Sequence, residues 1–298
     1  MTAVVVEVDA HEGPVYVPDE HEHALYFTSV PAPEVAIKRL SLASGEVSVL
    51  RVDANAANGM ALHPDGRLLV CEQGTRSSPA RISLVDRATG AAETVVDGWG
   101  GLPLNSPNDV VVKRDGTVWF TDPSYGFLQG FRPAPALGDF VYRHDPRTGE
   151  TTVVAEGFDK PNELAFSPDE RVLYVGDSGD DTHHIEAFDV VDGHALTGRR
   201  VFAVIDSGYP DGIKVDAAGL VYSAGPAGVQ VFDPNGYGVG AIAVPGAVNL
   251  AFGGTGRIFI TADTAVWAAT TPNPPRRPDR PCNSSAPVAS STPPAPTP

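Results

Sequence analysis

The chain is a succession of short apolar runs, rich in Val, Ile, Tyr and Phe, cut by Asp-Gly, Pro-Asp, Thr-Gly and Pro-Asn. Runs of that length, bounded by turn dipeptides, predict β-strands joined by tight hairpins. No long segment with a 3.6-residue period competes with them, so an internal repeat is the first thing to seek. One set of strands reads HALYF from His23, GRLLV from Gly66, GTVWF from Gly116, RVLYV from Arg171, GLVYS from Gly219 and GRIFI from Gly256. These six recur at roughly 40 to 55 residues, the interval of a four-stranded propeller blade.

Upstream of each lies a run that opens on a polar residue. These are EGPVY from Glu12, NGMAL from Asn58, NDVVV from Asn108, NELAF from Asn162, DGIKV from Asp211 and NLAF from Asn249. A third set comprises AIKRLSLASGE, RISLVDRATG, DFVYRHDPRTGE, HIEAFDVVDG, VQVFDPNG and AVWAATTP, and most of these end in a hairpin turn. The fourth set, SVLRVD, AETVVDG, TTVVAEG, RRVFAVI and GAIAVP, has only five members. The unassigned AVVVEV at Ala3 to Val8 supplies the sixth. The predicted fold is therefore all-β: a six-bladed β-propeller over residues 1–270, whose N-terminal strand closes the last blade and removes the open edges. Residues 271–298, rich in Pro, Ser, Thr, Ala and Arg, cannot bury enough apolar surface to offset ordering and predict a disordered tail.

Innermost strands line the channel of a propeller. The repeat thus directs Glu12, Asn58, Asn108, Asn162, Asp211 and Asn249 towards one point on the axis. Two carboxylates and four amides offer only oxygen, the donor set of a hard divalent cation. Ca²⁺ is the first expectation, with Mg²⁺ and Mn²⁺ as alternatives. Zn²⁺ ordinarily recruits His or Cys, and none stands in this ring. Against this, Asn-Gly, Asn-Asp and Asp-Gly are common turn dipeptides, and any one of them is more often structural than ligating. Six polar residues in register are harder to dismiss.

Composition narrows the function classes. With 37 Asp and Glu against 21 Lys and Arg, the net charge is −16, which argues against nucleic-acid and anionic-membrane partners. Cys71 and Cys282 do not make a disulfide framework and fit a reducing compartment. There is no secretory h-region and no run of the ~18 apolar residues a membrane span needs, so a cytoplasmic protein is expected.

Other candidate chemistry is weaker. Gly176-Asp177-Ser178-Gly179 looks like a trypsin-type nucleophile segment, but nothing else matches that family, and no G-x-S-x-G elbow occurs. His11, His21 and His23 could bind a transition metal, although a solvated hairpin loop is the simpler reading of His21 and His23. His183-His184 reads as surface loop. Cys71, at the end of a second strand, faces either the pocket or the core.

The chain resembles the senescence marker protein/gluconolactonase/luciferin-regenerating-enzyme family over about residues 10 to 265. The resemblance rests on EGPVY, NGMALHPDGRLLVCEQGTR, LNSPNDVVVKRDGTVWFTDPSYG, PNELAFSPDERVLYVGDS and YPDGIKVDAAGLVY, and LNSPND with TDPSYG points to the gluconolactonase-like branch. It implies one divalent ion at the axis, Ca²⁺ first with Mg²⁺, Mn²⁺ or Zn²⁺ possible. It implies Glu12, Asn162 and Asp211 as ligands, with Asn108 beside the metal. The expected reaction is hydrolysis of a small lactone, such as glucono-1,5-lactone, with Asp211 as general base. Asn58 and Asn108 would orient the substrate, and Asp122, Tyr125, Glu72 and Arg76 would form the pocket rim. Ser106 stands where animal lactonases carry Arg, and Gln73-Gly74-Thr75-Arg76 replaces a His-x-x-Arg-Arg segment, so the particular lactone is open. A non-hydrolytic propeller, or a strictosidine-synthase-like or paraoxonase-like enzyme, is the rival reading.

Overall fold

A computed structural model describes residues 2–18, 23–30 and 32–270. The tail expected at 271–298, Cys282 and His21 lie outside the described residues.

Six four-stranded antiparallel sheets stand around a common axis. Blade 1 is Val15–Pro18, His23–Thr28, Ile37–Ser41 and Val47–Arg51. Blade 2 is Ala57–Leu62, Leu68–Glu72, Arg81–Val85 and Ala92–Val96. Blade 3 is Val110–Val112, Val118–Asp122, Phe140–Asp145 and Glu150–Ala155. Blade 4 is Pro161–Phe166, Val172–Gly179, Thr182–Val191 and Ala195–Val204. Blade 5 is Ile213–Val215, Val221–Gly225, Gly228–Phe232 and Gly238–Ile242. Blade 6 takes Asn249–Phe252, Arg257–Thr261 and Asp263–Thr270, and its outer strand is the N-terminal Ala3–Ala10, paired antiparallel with Asp263–Thr270. The ring is closed as the five-membered fourth strand set predicted.

The six buried apolar clusters among the described residues each fill the gap between two neighbouring blades. The period of two along a strand accounts for this. In blade 1, Leu25 and Phe27 point towards blade 6, while Ala24 and Tyr26 point towards blade 2. In blade 2, Leu68 and Val70 face blade 1, while Leu69 and Cys71 face blade 3. Second strands are thus covered on both faces, which is why they read as unbroken apolar runs. Cys71 belongs to this packing and is fully buried.

One irregularity recurs in every blade and positions the site. Where the innermost strand begins, two residues face one on the second strand, which is a β-bulge. In blade 3 the Thr121 carbonyl accepts from the Asn108 N–H (3.0 Å) and the Thr121 N–H donates to the Asp109 carbonyl (3.1 Å). Ala224 pairs with Asp211 and Gly212 in the same way, and Thr28 pairs with His11 and Glu12. Register shifts enclose Asn58-Gly59 in blade 2 and Asn162-Glu163 in blade 4. In blade 6, Val248 and Asn249 both face Thr261.

Candidate functional site

The bulges build two tiers on the axis. The first bulge residues are His11, Asn58, Asn108, Asn162, Asp211 and Val248. The second are Glu12, Gly59, Asp109, Glu163, Gly212 and Asn249. The polar ring read from the repeat therefore mixes the tiers: Glu12 and Asn249 stand one position later than the other four. Alternation on a strand turns the two positions to different levels of the axis, although the Glu12 side chain still reaches the cavity.

The first tier opens into a cavity of 360 Å³ at one mouth of the channel. Glu12, Asn58, Asn108, Asn162 and Asp211 all line it. Asn249 does not line the cavity; it is fully buried beneath, where its amide donates to Glu12 Oε2 (2.6 Å) and to Glu163 Oε1 (2.7 Å). Expectation and structure part on Asn249 because its short side chain, at the second bulge position, is spent on Glu12 and Glu163, whereas the longer Glu12 at the same position still lines the cavity.

Five oxygen-bearing side chains meet on the floor of the cavity. Asn162 Nδ2 donates to Asp211 Oδ1 at 3.0 Å, and Asp211 and Glu12 are close enough to share a hydrogen bond. Asn58 Nδ2 donates to the Asn108 carbonyl at 3.2 Å. The side-chain carbonyl oxygens of Asn108 and Asn162 are buried and have no hydrogen-bond partner. Buried polar atoms are nearly always satisfied, and an orphan at a functional site points to a missing ligand. Burial raises the Glu12 carboxyl well above its ordinary range, and the nearby Glu163 and Asp211 carboxylates push it further. Burial and Glu163 likewise push Asp211 up to about 7. Two carboxylates that resist joint ionisation, beside two unused carbonyl oxygens, fit a hard divalent cation. Glu12, Asn162 and Asp211, with Asn108 alongside, are the residues that would hold it.

The other expected site residues divide. Tyr125 lines the cavity from a single helical turn, Tyr125–Leu128. Burial, then the Asp211 charge, raise its hydroxyl, which a hydrogen bond with Ser178 partly offsets. Asp122, Glu72 and Arg76 do not line the cavity. Asp122 is fully buried, and its two oxygens accept the Asn105 and Ser106 N–H groups at 2.8 Å each, pinning the loop that delivers Asn108. Burial pushes this carboxyl up to about 7 against those two bonds. Glu72 is locked by Arg51 and Ser83 on Oε1 (2.8 and 2.7 Å) and by Arg81 and Asn55 on Oε2 (2.8 and 3.0 Å). The exposed Arg76 reaches across to the Gly130 carbonyl. Sequence position placed these three near the rim, but hydrogen bonding turns them into the scaffold behind it.

Several cavity residues were not singled out as substrate contacts. His11 lines the wall, with Nδ1 2.6 Å from Asp263 Oδ1. Burial alone would lower its pKa, but the bond to Asp263 and the Glu12 and Asp263 charges together outweigh that and raise it. His183 lines the wall as well, contrary to the surface-loop reading, because the long blade 4 hairpin brings it over the mouth. Ser29, Gln73, Gln129, Ser178, Asp180 and Tyr209 complete the polar lining. Ser178 is no activated nucleophile: its hydroxyl donates to the Pro210 carbonyl. His23 lies elsewhere, bonded to the Tyr16 hydroxyl at 2.6 Å. The Asp177, His184 and Glu186 cluster is internally satisfied, with Asp177 accepting two backbone N–H groups and Glu186 held by Arg199. Among the described residues no Lys or Arg lines the cavity, whereas Glu12, Asp180 and Asp211 do.

The fold and this axial site define a propeller of the lactonase type. The match to the SMP-30/gluconolactonase/LRE-like family runs over residues 10–264, and the chain belongs to that family. It is 30% identical to a gluconolactonase of Zymomonas mobilis, over 87% of this chain and 78% of the relative. It is 29% identical to a pentonolactonase of Haloferax volcanii, over 82% of this chain and 77% of the relative. Among solved structures, a gluconolactonase from Xanthomonas campestris superposes with a TM-score of 0.81 at 37% identity, covering 91% of this chain and 89% of the other.

Proposed function

We propose that the chain is a metal-dependent hydrolase of a small, neutral sugar lactone. Lactone hydrolysis as the reaction class follows from family membership and from relatives named for gluconolactone and pentonolactone. The observation that carries metal dependence is the pair of orphaned carbonyl oxygens, Asn108 and Asn162, beside the crowded Glu12 and Asp211 carboxyls. The chemistry a cation held there supplies is Lewis-acid stabilisation of the charge that grows on a carbonyl oxygen under attack.

The chain's own groups do the rest. Asp211, held by Asn162, accepts the proton of the attacking water as that oxygen bonds to the lactone carbonyl carbon. The ring C–O bond then breaks, and Asp211 returns the proton to the departing alkoxide, giving the hydroxy acid. Asn58 and Asn108 orient the ring, and Tyr125, Gln73 and Gln129 offer hydrogen bonds to substrate hydroxyls. With Glu12 and Asp211 committed to the cation, the remaining wall has Asp180 and no described Lys or Arg, which favours a neutral, hydroxyl-rich lactone over a phosphorylated or carboxylated one.

The test is hydrolysis of glucono-1,5-lactone followed by acid release, before and after chelation, and with the Asp211→Asn variant. Activity is expected to vanish with the chelator and return with added Ca²⁺, Mg²⁺, Mn²⁺ or Zn²⁺. The variant is expected to lose about 10²- to 10⁴-fold in kcat. A rate indifferent to chelation rejects the metal role, and no hydrolysis of any aldonolactone leaves a non-hydrolytic propeller.

A further inference from the structure

Behind Glu12, the rest of the second tier is a charged layer that does not line the cavity. Glu163 is fully buried, as is Asn249, and Asp109 is nearly so. Lys214, two residues past the blade 5 bulge, sends its ammonium into this layer, 2.6 Å from Glu163 Oε2 and 3.9 Å from Asp109 Oδ2. Glu163 Oε1 accepts one N–H of the Asn249 amide at 2.7 Å. The second N–H of that amide goes to Glu12 Oε2 at 2.6 Å, and its oxygen accepts the Leu250 N–H at 2.7 Å. Every polar atom of Asn249 is thereby assigned, and its amide has one orientation.

We propose that Glu163, backed by Lys214, is a positioning residue for Glu12 and acts through Asn249. The chain of contacts Lys214–Glu163–Asn249–Glu12 fixes which carboxylate oxygen of Glu12 is engaged from below and which is left for the cavity. This rests on Glu12 being a metal ligand, as set out above. Partners of this kind orient a ligand, and their loss ordinarily weakens metal affinity by about 10- to 100-fold.

Charge and positioning predict opposite signs for one substitution. Removing the Lys214 ammonium makes the axis more negative, so charge alone would tighten binding of a divalent cation. Positioning predicts the reverse, because Glu163 loses its counter-ion and Asn249 loses a fixed acceptor. The measurement is calorimetric titration of the purified full chain with CaCl₂, MgCl₂ and ZnCl₂ in separate arms, with the melting temperature of each metal-free variant. Lys214→Met is expected to weaken binding at least about 10-fold. Lys214→Arg, which keeps the charge, should recover much of the loss.

Glu163→Gln should also weaken binding, since its amide cannot serve both the Lys214 ammonium and the Asn249 N–H as acceptor. In the double variant Glu163→Gln with Lys214→Met that conflict is gone. The Gln oxygen can accept from Asn249 and its NH₂ can donate to Asp109, at the loss only of the long 3.3 Å bond that Glu163 Oε2 accepts from the Ile213 N–H, so affinity should rise above either single variant. This non-additive pattern keeps the question answerable if Lys214→Met alone fails to fold. Variants that melt earlier yet bind as tightly as the wild type, or more tightly, would reduce the layer to a structural role and overturn the inference while the metal site stands. A wild-type chain that binds none of the three cations rejects the metal reading and this inference together.

Discussion

Gly212 shows how tightly the axial geometry constrains the chain, and Gly212→Ala tests it. Gly212 follows Asp211 in the blade 5 bulge, donates its N–H to the Val248 carbonyl (2.8 Å) and accepts from the Ala224 N–H (2.8 Å). A Cβ there would sit 2.5 Å from both the Cα and the side-chain oxygen of Asn249. Ordinary contact begins at 3.4 Å, so one strand must retreat by about 0.9 Å. Asn249 cannot give way, because its amide is bonded between Glu12 and Glu163. The movement therefore falls on Asp211 or on Glu12, both on the cavity floor. Overpacking of this kind costs about 1–3 kcal/mol of stability. A misplacement near 1 Å costs about 10²-fold in rate, or about 2.7 kcal/mol of transition-state stabilisation. The control lies in the same blade: a Cβ on Gly238, in the outer strand, meets nothing within 4 Å. Gly238→Ala should leave activity unchanged and add about 0.5–1 kcal/mol of stability. The assay is kcat/KM on glucono-1,5-lactone with thermal melts of all three proteins. A Gly212→Ala protein with undiminished kcat/KM would refute the claim that the two tiers are rigidly coupled.

Three further outcomes are expected. Glu72→Gln should destabilise the fold by about 2–3 kcal/mol, somewhat below the usual cost of breaking a buried ion pair, because Arg51 and Arg81 keep some solvent contact. Burial would raise the Glu72 pKa, but Arg81, Ser83 and Arg51 outweigh it and lower it, so its contribution is present above the ordinary carboxylate range and is lost on acidification through the depressed value. Chemical denaturation across acid pH should show the wild type losing stability more steeply than the variant, and parallel profiles would contradict this. Cys71 is fully buried, with burial pushing its thiol well up, so in a Cys282→Ser background a disulfide reagent should label it only on unfolding. Rapid labelling of the native protein would show that blades 2 and 3 part readily. Finally, 6-phosphogluconolactone should have a kcat/KM at least about tenfold below that of glucono-1,5-lactone, because its phosphate would enter a wall with Asp180 and no described Lys or Arg. Equal turnover would remove the argument from cavity charge.

The architecture was legible because a propeller repeats its physics. Each second strand packs against two neighbours and so announces itself as an apolar run, and the count of fourth strands revealed how the ring closes. The polar residue before each run was legible too, but its tier was not. Periodicity of apolar residues locates a strand to within a residue, whereas a bulge adds one residue that the pattern does not mark. Glu12 and Asn249 were therefore grouped with Asn108 and Asp211, although their backbones occupy the position of Asp109 and Gly212. The small residues held the missing signal: glycine follows Asn58 and Asp211 because nothing larger fits beside Asn108 and Asn249. Where the second position carries Asp109 or Glu163 instead, a buried charge needs a partner, and Lys214 reaches in from two residues beyond the next bulge to supply it. Rim roles failed to transfer for a related reason. Glu72 and Asp122 end second strands close to the cavity, yet a carboxylate beside two arginines, or beside two free N–H groups, is bound by them before any substrate arrives. The residues left to meet a ligand are those that line the cavity and whose neighbours leave an oxygen unused: Asn55 and Asn105 also carry an orphaned carbonyl oxygen but stand outside the cavity, and Asn108 and Asn162 meet both conditions.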